Sequence, residues 1–395
     1  MFSSGSMKPT KTKAEEAELR ASIVEYFAKI PDPRVERTRR HPLVSILVLS
    51  LCAVVCGADD FVAIEAFGKA KLDWLRTFLD FPHGIPSHDT IGRVLGALDP
   101  RALAEAFREW VRAVARLTHG EVVAIDGKAL RRAIREGGGM GFVHMVSAWA
   151  TCNHLVLGQV KTDEKSNEIT AIPQLLKMLA LKDCVVTIDA IGCQKEIAQE
   201  IVEAEADYII AVKDNQPTLR ADIENIFAEL RKGAPSGLML NFHQTRETGH
   251  GRTEVRRCWT TNMVEAVTQW KDWPGLRSLV LIESERTVGG KTSTEQRFYI
   301  ASAAKRAAAT ALRNIRAHWG IENGLHWVLD VAFREDDCRV RANHAAENFA
   351  VMRRIAVNLL KAVQGTKVGV KNRRLRAGWD HDFMLRVLAS GADVG

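Results

Sequence analysis

The sequence predicts an α/β fold in which an all-α N-terminal domain precedes a mixed sheet that carries an inserted antiparallel β segment. Three observations support this prediction. Residues 15–118 show helical periodicity. After Glu121, strand-like runs first follow one another and then alternate with helices, which is typical of a mixed sheet. Between about residues 233 and 302 the pattern becomes β-rich and is broken by glycines.

The N-terminal domain, residues 15–118, is predicted to be helical throughout. Apolar residues recur there at helical spacing in segments that proline and glycine separate. The predicted helices are Glu15–Ala28, Leu43–Cys56, Phe61–Leu79, His88–Leu98 and Arg101–Leu117.

The segment IPSHDTIGRVLGAL in this domain has two interpretations. A Ser87 or Asp89 cap that opens a short helix resembles the second helix of a helix-turn-helix, which would bring His88 and Arg93 to DNA. The same pattern also suits one more packed helix. The arginine-rich run around Arg37 is equally open, because it could contact phosphates or form a solvated loop.

The second predicted domain, residues 119–365, contains the mixed sheet. Its predicted order is a strand ending at Asp126, two further strands, a helix, a strand ending at Asp189, a helix, a strand, and a helix opened by Pro217. The intermediate segments are Phe142–Thr151, Leu155–Lys161, Glu168–Leu181, Gln194–Glu205 and Tyr208–Val212.

The β-rich insertion at about 233–302 precedes a helix from Leu312 to Leu329. Its predicted strands are Thr253–Thr260, Arg277–Glu285 and Gln296–Ala301. The last segment, residues 366–395, is basic and punctuated by glycine. It could bind DNA or be a solvated tail.

Composition limits the class of protein. The chain has 395 residues, enough for two domains, and its formal charge of +7 permits a polyanionic partner. Seven cysteines without a CxxC pair argue against a disulfide framework or a zinc ribbon. The apolar run Leu43–Ala58 is shorter than a membrane span, and the polar N-terminus does not resemble a signal peptide. We therefore expect a cytoplasmic protein that stays with the chromosome.

Three carboxylates are the most informative residues. Asp126 in VVAIDGK and Asp189 in CVVTIDAIG each follow an apolar strand, and Glu322 in HWGIENGLHW lies on or beside the packed face of a helix. Each also has an ordinary interpretation. Asp-Gly could form a hairpin turn, Asp189 could cap a helix, and Glu322 could be a surface residue.

Electrostatics explains what these carboxylates could do together. Two like charges about 4 Å apart repel by roughly 4 kcal/mol at an effective dielectric near 20. Three converging carboxylates would therefore partly protonate unless a cation neutralised them. Two Mg²⁺ ions can stabilise the attacking and leaving oxygens of a displacement at phosphorus. The sequence thus predicts metal-dependent phosphodiester chemistry.

A series of short words, in order, resembles the DDE transposases of bacterial insertion sequences, and most closely the ISAs-type, or H-repeat-associated, family. The resemblance extends from about Ile30 to about Leu388. The words are DGKALRR, HMVSAW, KSNEITAIPQLL, TIDAIGCQ continuing to VKDNQPTL, ETGHGRTEVRR and HWGIENGLHWVLDVAFREDD.

The resemblance implies a ribonuclease-H-like fold whose catalytic, metal-binding triad is Asp126, Asp189 and Glu322. It implies two Mg²⁺ or Mn²⁺ ions, double-stranded DNA as partner, and a homo-oligomer, a dimer, in the synaptic complex. The chain departs from the wider transposase group at two positions. That group often has Arg four residues before the glutamate and Lys seven residues after it, where this chain has His318 and Leu329. The resemblance therefore does not imply that His318 and Leu329 contact phosphate.

Further DNA contacts are expected from residues near these words. Lys128 belongs to DGKALRR. Lys213 and Asn215 follow a strand at the same sheet edge as the aspartates, although Asn215 could instead cap the next helix. His250 and Arg252 could bring an imidazole and a guanidinium to a phosphate, or form a hairpin tip.

Other functions are less well supported by the residues. His318, Glu322 and His326 share a helical face and could bind zinc, but HExxH is absent. The run VGGKT lacks the first glycine of a phosphate-binding loop, so no nucleotide is expected. The leading hypothesis is a transposase that cleaves element ends and transfers the 3′-hydroxyl end to target DNA. The alternatives are a standalone or domesticated nuclease of the same fold and a DNA-binding repressor.

Overall fold

The computed structural model describes residues 23–115, 117–130, 143–162, 168–233, 240–249, 251–303, 307–340 and 343–390. Contacts divide the chain into two compact units. One combines the described parts of residues 1–116 and 329–395, and the other those of residues 117–328. The first unit is therefore discontinuous in sequence.

The N-terminal part of the first unit is helical, as predicted. Pro42 precedes α2, and Gly57 ends it in the left-handed region at φ 115°, a conformation that glycine adopts without steric cost. Ser87 caps α5 by accepting from Thr90 N, so Ser87 rather than Asp89 is the cap. The helices are α1 (Ile23–Ala28), α2 (Leu43–Cys56), α3 (Phe61–Ala70), α4 (Leu72–Leu75), α5 (His88–Ala97) and α6 (Pro100–Val114).

The second unit contains one nine-stranded sheet. Along the sheet the strands lie in the order β3-β2-β1-β4-β5-β9-β8-β7-β6. β4 is parallel to β1 and to β5, and the remaining neighbours are antiparallel. The strands are β1 (Val122–Leu130), β2 (Val143–Ala150), β3 (Leu155–Lys161), β4 (Val185–Ile188), β5 (Asp207–Val212), β6 (Leu240–Gly249), β7 (Arg252–Thr261), β8 (Ser278–Val288) and β9 (Lys291–Ala301).

Helices cover both faces of this sheet. Val122, Val185, Leu312 and Ile315 belong to the buried apolar cluster under α10. Side chains alternate between faces along a strand, so Ile188, which lies close to Ile172 of α7 beside Gly192, points to the opposite face. The helices of this unit are α7 (Glu168–Lys177), α8 (Lys195–Glu203), α9 (Pro217–Lys232) and α10 (Ala308–His318), and the division between the units falls within α11 (Trp327–Val331).

The β-rich insertion, predicted as an inserted antiparallel subdomain, is antiparallel and continues the main sheet. Its four strands, β6–β9, extend the same sheet, because β9 pairs with β5 through Ile210↔Ile300 and Ile209↔Ala301. The predicted bounds of β7 and β8 agree well, since local alternation determines them, whereas β9 begins before its predicted start at Gln296 and β6 was not among the predicted strands. Which strand pairs with which depends on contacts distant in sequence, and periodicity does not encode those contacts.

The C-terminal region also differs from the predicted division at residue 365. Residues 329–395 group with the N-terminal helices, and the predicted tail contains two helices. Buried Arg374 of α13 donates to the carbonyl oxygen of Val54 at 2.7 Å, so this basic residue is structural. The helices are α12 (Ala345–Ala362), α13 (Val370–Trp379) and α14 (His381–Ala389).

Helix α2 is apolar on every side and almost completely buried, as expected of a core helix. Among the described residues, no single helix is both long enough and apolar enough to cross a membrane. Helices α2 and α3 meet those criteria only as a pair, and they are bent by 96° at their junction.

Candidate metal centre

Asp126 and Asp189 lie side by side on neighbouring parallel strands. β1 and β4 pair in register up to Ile125↔Ile188, and each aspartate is the next residue. β1 does not end there, since Asp126 pairs with Ser147 of β2 and the strand continues to Leu130. The Asp126-Gly127 pair is therefore not a hairpin turn. Both carboxylates leave the sheet on the face that α10 covers.

Glu322 comes from the helical segment that follows α10. Glu322–His326 forms one π-helical turn, a local widening that is frequent at functional sites. Gly324 in this turn lies against Trp149 of β2, where a Cβ atom would be only 2.8 Å from Trp149 Cζ2. The absence of a side chain at Gly324 thus lets the turn approach the sheet closely, beside Asp126.

Asp126, Glu322 and His326 form a compact group. One ligand atom from each residue lies within 4.8 Å of the other two. Nδ1 of His326 is 3.5 Å from Asp126 Oδ2 and 3.8 Å from Glu322 Oε2. The imidazole and the Asp126 carboxylate are largely buried, whereas half of the Glu322 side chain is exposed. The group therefore opens to solvent on the Glu322 side.

The electrostatics of the group favours a cation. Burial, followed by the charges of Glu322 and Asp189, raises the pKa of Asp126 to about 7. The backbone N–H of Gly127, which donates to Asp126 Oδ1 at 2.9 Å, acts in the opposite direction. Mg²⁺ and Mn²⁺ prefer oxygen ligands, and their charge neutralises the repulsion between neighbouring carboxylates. The residues present therefore fit a hard divalent ion.

His318 does not join this group. Its Nδ1 is 3.1 Å from Thr187 Oγ1, and burial lowers its pKa. The sequence suggested a zinc site made of His318, Glu322 and His326. In the structure, the group that could hold a metal ion consists of Asp126, Glu322 and His326 instead. Asp189 does act as a cap, because its Oδ1 accepts from Ile191 N at 3.1 Å at the start of a short 3-10 turn.

Lys213 and Asn215, which were expected to contact DNA near the centre, differ in exposure and in hydrogen bonding. Lys213 is exposed and lines a cleft together with Asp189, Arg297 and Trp319. The guanidinium of Arg297 lies 5.1 Å from the Trp319 ring centroid. Asn215 does not cap α9, since Gln216 holds the N-cap position and the Asn215 amide donates to Ala190 O at 2.6 Å.

Other predicted DNA contacts lie further from the centre or outside the description. Lys128 is only 9% exposed, so its setting is largely internal. Arg252 is exposed at the β6–β7 hairpin tip, and His250 lies outside the described residues. In the first unit Arg93 is exposed on α5, whereas His88 Nδ1 is engaged with Glu65 Oε2 at 2.7 Å.

Comparison with protein families decides what kind of chain carries this centre. The family described as the transposase DDE domain matches residues 118–359, and a family associated with that domain matches residues 24–111. The chain belongs to the DDE transposase family. The resemblance found in the sequence words is therefore confirmed.

Two relatives with transposase in their names cover almost the whole DDE transposase chain. YncI of Escherichia coli O157:H7 is 41% identical over 95% of this chain and 96% of its own. The H-repeat-associated YhhI of Escherichia coli strain K12 is 40% identical over 93% of this chain and 97% of its own. Among solved structures, the piggyBac transposase synaptic complex with hairpin DNA aligns with 94% of this chain and 80% of its own chain. The TM-score is 0.45 and the sequence identity is 12%, so this likeness supports no conclusion about function.

Sequence analysis of this transposase did not place His326 beside Asp126 and Glu322, and it gave no functional role to Glu168. His326 was considered only for a zinc site, although it lies four residues after Glu322, where side chains share a helix face. Glu168 was treated only as the start of a helix, yet burial and the charge of Asp189 raise its pKa. The word KSNEITAIPQLL, which contains Glu168, was the available signal.

Proposed function

We propose that this transposase cuts DNA at the ends of an insertion sequence and joins the freed 3′-hydroxyl to target DNA, with Asp126, Asp189 and Glu322 as its metal-binding catalytic triad. The single observation that carries the proposal is the convergence of Asp126 and Glu322, with one ligand atom of each within 4.8 Å, at the edge where Asp189 follows its strand. We further propose that strands β3-β2-β1-β4-β5 form a ribonuclease-H-like sheet.

The centre would hold one or two Mg²⁺ or Mn²⁺ ions. When bound, such ions lower the pKa of bound water and neutralise charge on the oxygens of a phosphodiester displacement. The three carboxylates supply oxygen ligands on one face of the sheet, and Glu322, which is half exposed, is the ligand nearest to incoming DNA. His326 Nδ1 faces both Asp126 and Glu322 and would keep their carboxylates in place.

DNA would reach the centre along the cleft that Asp189 lines. Lys213 in that cleft provides positive charge for phosphates, whereas Arg297 is paired with Glu295, and exposed Trp319 provides an aromatic surface. Recognition of the terminal repeats is assigned to α5 of the first unit, through exposed Arg93. Phosphate contacts position the DNA, whereas base contacts give sequence preference.

A joining assay tests the proposed function. Purified full-length protein is incubated with Mg²⁺, a supercoiled plasmid and a pre-cut element end that carries a free 3′-hydroxyl. We expect joined products without ATP and without a covalent protein–DNA link, because the attacking group is a DNA hydroxyl. A 3′-dideoxy end should stop joining and leave binding unchanged. Joining that survives this block, or protein that remains attached after denaturation, contradicts the proposal, and cleavage without joining favours the standalone nuclease.

A further inference from the structure

The first residue of α7 brings another carboxylate to the metal centre. Glu168 occupies the space that a side chain at position 127 would fill, because a Cβ atom on Gly127 would overlap its carboxylate and lie 2.7 Å from Oε2. Gly127 directly follows Asp126, so its missing side chain would point to the opposite face of the sheet. Helix α7 covers that opposite face. Glu168 therefore approaches Asp126 from the other side of the strand.

The charge around Glu168 is unbalanced. Asp189 and Asp126 both interact electrostatically with Glu168 as like charges. In the described ranges, no lysine or arginine forms an ion pair with Glu168, and the charge of His144 is the one that favours its ionised form. Neighbouring carboxylates disfavour the ionised form of Glu168, and a bound cation would stabilise that form.

Independent support for an ion beside Asp126 comes from buried polar groups on the face that α10 covers. Ser147 lies directly opposite Asp126 in the β1–β2 pairing, so the two side chains share a face. The Ser147 side chain is fully buried, and its hydroxyl has no hydrogen-bond partner among the described residues. Gln159, the next residue across at β3, is 4% exposed and its amide is equally unsatisfied there. Such groups normally bind ordered water, and Mg²⁺ retains several of its waters.

We propose that Glu168 is a fourth carboxylate ligand of the metal centre, binding the ion directly or through its water, and that Gly127 is glycine because this ligand must pass the strand there. This inference rests on the proposed function and adds a residue to the same site. The competing explanation is purely structural: an acidic residue in the first turn of α7 stabilises the helix dipole.

The two explanations predict different effects of Glu168→Gln on the stability of the metal-free protein. A ligand removed from a repelling cluster leaves the protein as stable as before or more stable in EDTA. A lost helix-dipole interaction makes it less stable. Two measurements on full-length wild type, Glu168→Gln and Asp126→Asn separate these cases. The first is thermal unfolding with EDTA and with Mg²⁺, and the second is calorimetric titration with Mn²⁺. Glu224→Gln, on the exposed surface of α9, is the matched control.

If Glu168 is a ligand, Glu168→Gln keeps or raises the unfolding temperature in EDTA, loses at least half of the Mg²⁺-induced rise, and binds Mn²⁺ about 10–100-fold more weakly. Glu224→Gln should match wild type. Unchanged Mn²⁺ affinity in Glu168→Gln, together with its loss in Asp126→Asn, overturns the inference and leaves the proposed function intact. A wild-type protein that binds no Mn²⁺ overturns both.

Gly127→Ala provides a second route should Glu168→Gln fold poorly. The new methyl group would displace the Glu168 carboxylate while leaving its charge in the protein. We expect Mn²⁺ affinity to fall in Gly127→Ala, and the fall to be smaller when Glu168 is already Gln, since both changes remove the same ligand. Fully additive losses in the double variant contradict the inference.

Discussion

His326 Nδ1 lies 3.5 Å from Asp126 Oδ2, although 200 residues separate the two in the chain. The π-helical turn that carries His326 also carries Glu322, so one short segment presents two ligand atoms to the strand residue. Gly324 between them permits the close approach to Trp149. The geometry of the proposed centre thus depends as much on residues that lack side chains as on the carboxylates.

Removing the charge of any triad carboxylate should abolish cleavage. We expect Asp126→Asn, Asp189→Asn and Glu322→Gln to preserve side-chain shape but to lose the metal, while binding to element ends stays nearly unchanged. Cleavage assays in Mg²⁺ and gel shifts in EDTA measure the two properties separately. Cleavage at a rate near wild type by any one variant would remove that residue from the triad.

His326 should contribute to metal affinity through its contacts with Asp126 and Glu322. His326→Gln is expected to weaken Mn²⁺ binding by about 10–100-fold, the usual effect of losing a residue that orients ligands. His318→Gln is the matched control, because His318 lies on the preceding helix but contacts Thr187 instead of the carboxylate group. Equal Mn²⁺ affinities of the two variants in calorimetry would argue against this role.

The stability of the metal-free protein should fall as pH rises from about 4 to about 7. Asp126 has a pKa of about 7 in the folded chain and an ordinary value of 3.8, so within this window only the folded state holds the proton. Its contribution at pH 5, lost by pH 8, is on the order of 2–3 kcal/mol. Urea unfolding in EDTA at these two pH values should show a smaller difference for Asp126→Asn than for wild type.

DNA binding should divide between the two units. Arg93→Ala is expected to reduce the preference for terminal repeats over random DNA, because Arg93 is assigned to base contact. Lys213→Ala should weaken binding to all sequences alike and lower its salt dependence by about one phosphate contact. Competition gel shifts at several salt concentrations measure both effects. The reverse pattern would reassign recognition to the sheet-containing unit.

The buried ion pair in the first unit should be important for folding. Arg354 Nη1 lies 2.8 Å from Glu335 Oε1, and the two side chains are 0% and 1% exposed. Arg354→Met leaves a buried carboxylate without this partner and should cost about 3–5 kcal/mol. The double change Arg354→Met with Glu335→Leu should cost clearly less than Arg354→Met alone. Arg376→Met, at an exposed pair, should have a much smaller effect in urea unfolding.

The sequence predicted local structure well and long-range pairing less well. Helix α2 matches its predicted bounds, because a run between Pro42 and Gly57 that is apolar apart from Ser45 and Ser50 leaves little alternative. The insertion strands β7, β8 and β9 were predicted, but β6 and the addition of all four strands to one sheet were not, since the β5–β9 pairing joins segments about 90 residues apart. For the same reason the grouping of residues 329–365 with the N-terminal helices was not foreseen.

The candidate site shows the same division between local and distant information. Asp126 and Glu322 were singled out from local words and lie together. Glu168 was overlooked because a glutamate at a helix start has an ordinary local explanation, and only the fold reveals that its carboxylate fills the space beside Gly127. Asn215 was expected as a possible cap, but its amide binds the Ala190 carbonyl from a neighbouring connection.

The π-helical turn at Glu322–His326 makes the number of residues in this segment as important as their identity. A π turn contains one residue more than the α-helical turn it replaces. Deleting the single residue Asn323 would restore regular helix and reduce the separation of Glu322 and His326 from four residues to three. The two side chains would then meet Asp126 at a different angle and spacing. Among relatives, the number of residues in this turn should therefore be kept even where Asn323 is substituted.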